Sequence, residues 1–65
     1  MSKLTTKSLT MITELLDSEQ LAYKKCCAYV HETEDEGLKT LLGELANQHK
    51  TRYDSLCQIL INQAK

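Results

Sequence analysis

Two apolar stripes of helical period, each with one ionisable residue at its centre, constrain this chain more than any other feature. At about 100° per residue, Ile12, Leu15, Leu16, Ala22, Tyr23, Cys26 and Val30 fall within roughly 60° of Glu19. Leu38, Leu42, Leu45, Ala46, Tyr53, Leu56 and Leu60 fall within about the same angle of His49. A charge on such a stripe costs several kcal/mol once water is removed, unless a partner meets it there. The fold must therefore bring partners to Glu19 and His49 in its interior.

A chain of 65 residues makes one small domain at most, and at this size only about 60 % of the unfolded surface is buried. Such a domain needs a staple or a partner. Cys26, Cys27 and Cys57 are a poor staple, because the count is odd and two are adjacent. No secretory leader pattern stands at the N-terminus, so the expectation is a cytoplasmic protein with free thiols. No apolar run approaches the ~20 residues of a membrane span. A formal net charge of −1 leaves no basic face for nucleic acid and no polybasic anchor for lipid. Zero Pro, two Gly and no strand-like alternation predict an all-α chain. Oligomerisation is the remaining staple.

Residues 1–7 are polar and short of apolar anchors, which predicts a flexible N-terminal arm. Ser8 or Thr10 then caps a first helix running to about residue 31, with a turn at 32–33 and a second helix over about 34–62. Thr33 with Glu36 reads as a capping box, and Glu34, Asp35 and Glu36 as first-turn acids facing the positive end of the helix dipole. Two segments of similar length with a short join predict an antiparallel hairpin over residues 8–65; one long kinked helix is the competitor. In the hairpin, Glu19 and His49 each lie about 22 Å from the turn, at one level and near mid-helix. Arg52 falls within roughly 60° of His49 and close to that level. A two-helix hairpin leaves half of each stripe uncovered. A second copy packed head to tail would complete a four-helix bundle and bring Glu19, His49, Arg52 and Tyr53 into one buried polar layer.

On these residues the chain resembles one half of a ferritin-like or rubrerythrin-like four-helix bundle. The matching stretch runs from Ile12 to Leu60, about three quarters of the chain. Glu19 and Ala22 stand where that family has an interior Glu followed three residues later by Ala. Gly37-Leu38-Lys39 and Leu41-Leu42 match the start of its second helix. The family's Glu-x-x-His, however, stands here as His49-x-x-Arg52. A di-iron site takes a Glu from each of two helices and Glu-x-x-His from each of the other two. A homodimer of this chain offers only two Glu and two His and adds two guanidinium groups. The resemblance is therefore closest to small, spore-coat-type relatives that keep the bundle and have lost part of the ligand set.

Each candidate residue has a structural and a functional reading. Glu19 is either the buried partner of Arg52 or His49, or a metal ligand; Arg52 favours the former, because a fixed cation satisfies the carboxylate and repels a divalent ion. Two Glu19 and two His49 at a dimer centre would hold one zinc or iron ion. A His in this layer is also a route to a pH-sensitive interface. Cys26 faces the core and Cys27 its flank, both as small hydrophobes. Tyr23 and Tyr53 border the central layer, His31 sits at the helix end beside Glu32 and Glu34, and Leu21 lies opposite the stripe. Nothing forms a catalytic triad, a phosphate loop or a nucleotide fingerprint, so an enzyme is unsupported. Three expectations follow: a self-associating structural or assembly hairpin, a minimal iron or zinc protein with its site at the dimer centre, or an adaptor whose exposed stripe meets a different protein.

Overall fold

The computed structural model describes residues 4–64, which form two α-helices. α1 spans Thr6–Glu32 and α2 spans Glu36–Ala64. The helices run side by side in a hairpin with extents of 48 × 16 × 12 Å. A single kinked helix is thereby excluded. No strand occurs among the described residues, and no helix is long and apolar enough to cross a membrane.

The helix boundaries follow from side chains that satisfy orphan backbone groups. Thr5, in extended conformation, accepts a hydrogen bond from the Ser8 N–H at 3.1 Å, and α1 starts one residue later. The first cap is therefore Thr5 and not Ser8 or Thr10. Helical structure begins inside the segment expected to be a flexible arm, of which residues 1–3 lie outside the described residues. Once Thr5 caps, Thr6 and Lys7 complete the first turn at little cost.

The turn also differs from its expected chemistry. Thr33 does not open α2 through a capping box; it closes α1, donating its N–H to the Tyr29 carbonyl at 2.9 Å. Its hydroxyl accepts from the Asp35 N–H at 3.2 Å, bending the chain through a short local turn. Asp35 is the residue that starts α2. Its Oδ1 accepts from the Leu38 N–H at 2.8 Å, and its carbonyl takes the first helical bond from the Lys39 N–H at 2.9 Å. Glu36 is left as the acid of the first turn, with Glu34 in the connection. Gly37 suits this cap, because a Cβ there would stand 3.3 Å from the Asp35 carboxylate oxygen. We expect Asp35→Ala to destabilise the hairpin by about 1 kcal/mol, lowering Tm by roughly 4–8 °C. Thr33→Ala, which leaves this cap in place, should cost less. Thermal melts that rank the two in the opposite order would return the cap to Thr33.

The core between the helices is thin. Among the described residues only Cys26 and Ala46 are buried, at 8 % and 7 % exposure. Ile12, Leu16, Val30, Leu42, Leu45, Leu56 and Leu60 are half-buried, while Met11, Leu15, Tyr29, Leu41 and Ile59 are exposed. Both stripes meet across the hairpin, yet each keeps a flank in water.

Candidate functional site

Glu19 is the central residue of α1, and His49 lies one residue from the middle of α2. The antiparallel arrangement sets them at one level, and both helices turn them inward. The His49 Nδ1–H donates to Glu19 Oε2 at 2.7 Å, across 30 residues of sequence. With an ionised carboxylate, which only accepts, the proton on Nδ1 is required by the bond itself. The side chains retain 18 % and 20 % exposure, so each charge-bearing group is largely desolvated and satisfied by the other.

Arg52 has a lesser part than its spacing suggested. Its Nη1 stands 4.0 Å from Glu19 Oε1, and the side chain is 58 % exposed. The reason is angular. His49 points straight at α1, whereas Arg52 sits about 60° around α2 and reaches Glu19 only along the rim. Glu19 thus has an imidazole on one oxygen and a guanidinium near the other. In the single hairpin the polar layer is a Glu19–His49 pair with Arg52 at its edge.

Two shallow grooves flank the pair. On one side lies a groove of about 270 Å³ lined by Gln20, Tyr23, Lys50, Tyr53 and Asp54. On the other lies one of about 340 Å³ lined by Leu15, Thr51, Arg52, Ser55 and Leu56. Both tyrosines therefore sit on the same side of Glu19, as borders of the layer. Cys27, one turn beyond Tyr23, holds the Tyr23 phenol above its ordinary range, chiefly by hydrogen bonding and then by charge, while Lys50 opposes it. Lys50 and Asp54, which sequence reasoning did not single out, form an exposed ion pair at 3.2 Å. Their four-residue spacing was the available signal, and exposed pairs of this kind contribute little stability.

The remaining candidates do not join this site. The three cysteines are free, with Cys26 buried and Cys27 and Cys57 half-buried. His31 lies in the last turn of α1, where it faces the negative end of the dipole. Leu21 is exposed. Among the described residues no three His, Cys, Asp or Glu side chains converge as a metal site would require. Glu19 and His49 supply two donors, and a four-donor centre would need the same two from a second copy.

No protein-family model matches the chain, and no curated protein or solved structure matches it.

Proposed function

We propose that this chain is a self-associating structural or assembly module of ferritin-like type, in which two hairpins pack head to tail into a four-helix bundle around a Glu19–His49–Arg52 layer. The observation that carries the reading is surplus surface. A compact monomer of 7.4 kDa exposes about 4,200 Å². The hairpin exposes 5087 Å², roughly 900 Å² more. A standard protein interface buries about 800 Å² on each partner. The radius of gyration agrees, at 14.9 Å against about 11 Å for a compact domain of this length. Both figures support reading the hairpin as one half of a larger packed unit.

The polar layer supports a structural role for the pair over a metal centre. His49 already occupies one oxygen of Glu19, and the Arg52 cation stands beside the other. A bridging metal would have to displace the first and tolerate the second. Bound iron or zinc would bring Lewis-acid or redox chemistry; the residues present are arranged instead to neutralise one another. In this reading the protein is cytoplasmic, takes no cofactor and performs no catalysis.

Sedimentation equilibrium is expected to return a dimer, or a higher even multiple, at micromolar concentration. Native mass spectrometry should give the same stoichiometry with no metal adduct. A cooperatively folded monomer would overturn the assembly reading, and a dimer carrying one metal ion would favour a minimal metal protein. A hairpin that orders only on meeting a different protein would favour an adaptor.

A further inference from the structure

We propose that the second copy docks through the Leu15 side of the hairpin, with α1 lying antiparallel on the partner's α1 and rows of opposite charge meeting along the rim. This rests on the self-association proposed above and specifies its face and direction.

The face is identified by where apolar area remains. Relative to Glu19, Met11, Leu15 and Tyr29 lie about 40–80° around α1 toward the Leu15 groove. Relative to His49, Leu38, Leu41 and Ile59 lie about 20–80° around α2 toward the same side. All six are exposed in the hairpin. The opposite side carries Gln20, Lys24, Lys39, Lys50, Asp54 and His31, and among the exposed large apolar residues Leu9, Tyr23 and Ile61 lie toward it, half the number on the Leu15 side. A face with six large apolar side chains at helical spacing is the one a second hairpin would cover.

Charge then selects the direction. Beyond the apolar row on α1, about 120–140° from Glu19, stand Lys7, Glu14, Lys25 and Glu32. All four are exposed, and none forms an ion pair among the described residues. Lys7 lies 12 residues before Glu19 and Glu32 lies 13 after it; Glu14 lies 5 before and Lys25 lies 6 after. A twofold axis opposite Glu19 therefore sets Lys7 against the partner's Glu32, and Glu14 against the partner's Lys25, each within one residue, or about 1.5 Å, of level. Symmetry doubles these to four pairs. The same axis brings Met11 level with the partner's Tyr29. It also moves the acidic turn, with Glu32, Glu34, Asp35 and Glu36, away from its own copy and toward the Lys7 end of the partner. A head-to-head dimer would instead gather both acidic turns at one end. A head-to-tail dimer with α1 on α2 would set Glu14 against the partner's Glu44. Only the α1-on-α1 crossing is complementary along its whole length.

Charge reversal tests the crossing without threatening the hairpin. Lys7→Glu adds an acid to the first turn of α1 and Glu32→Lys adds a base to its last turn, both favourable to the helix dipole. Each alone should nevertheless weaken dimerisation roughly tenfold at low ionic strength, because two attractive contacts become repulsive. The double variant Lys7→Glu with Glu32→Lys should restore wild-type affinity within about threefold, since both contacts are re-formed with exchanged sign. Sedimentation equilibrium of the four proteins measures this. If wild type dimerises and the two losses simply add, the crossing is wrong while self-association stands. If wild type is a monomer, both fall together.

Discussion

Leu42→Asp is expected to abolish the hairpin and its assembly in one step, and Leu56→Asp to do the same. Leu42 and Leu56 are half-buried on α2, facing α1 on either side of His49. Each substitution sets an unpaired carboxylate in the little core the hairpin has, costing several kcal/mol. The total available to a domain of this size is only about 3–10 kcal/mol. Circular dichroism at micromolar concentration should therefore show loss of helix, with dissociation at the same midpoint. A well-folded monomer from either variant would show that these leucines belong to an interface and not to the structure of the hairpin.

The second large effect concerns the Glu19–His49 pair. Glu19→Leu leaves the His49 Nδ1–H in a largely desolvated site with no acceptor, which costs about 1–3 kcal/mol. His49→Leu leaves the carboxylate with only the exposed Arg52 guanidinium 4.0 Å away and should cost at least as much, about 2–3 kcal/mol. The double variant Glu19→Leu with His49→Leu should return to within about 1 kcal/mol of wild type, because a repacked apolar layer can match a largely buried polar pair in stability. Urea unfolding of the four proteins gives the coupling directly. All four results should be indifferent to a chelator. A wild type that loses stability with chelator, or a double variant that recovers nothing, would shift the assignment from a paired layer to a metal centre.

Local chemistry was legible where one period or one residue type dominates. The 3.6-residue repeat around Glu19 and His49 is enough to demand two helices, and the run from His31 to Gly37 is the interruption between them, rich in capping residues and short of apolar ones. The identity of the cap was not legible. Thr33 and Asp35 are both good N-caps, differing by no more than about 1 kcal/mol. The choice falls to the path of the connection. Thr33 is needed to close α1 through the Tyr29 carbonyl, which leaves Asp35 as the first residue free to open α2.

The site divides in the same way. That Glu19 requires an interior partner follows from the sequence, since the cost of an unpaired buried charge is independent of the fold. Which partner it takes is a tertiary result. Arg52 and His49 stand at nearly one level, and Arg52 carries the permanent charge; yet His49 alone points across the hairpin, and Arg52 meets only the edge of the carboxylate. Likewise, the two apolar stripes themselves are read directly from the sequence. Only the packing of α1 on α2 divides their residues into a half-buried set and a free flank. The sequence by itself determined helices, their approximate ends and the need of Glu19 for an interior partner side chain, because these depend on residue type and on neighbours a few residues apart. The tertiary structure decided the cap, the pairing and the open face, because each depends on the angle at which two distant segments meet.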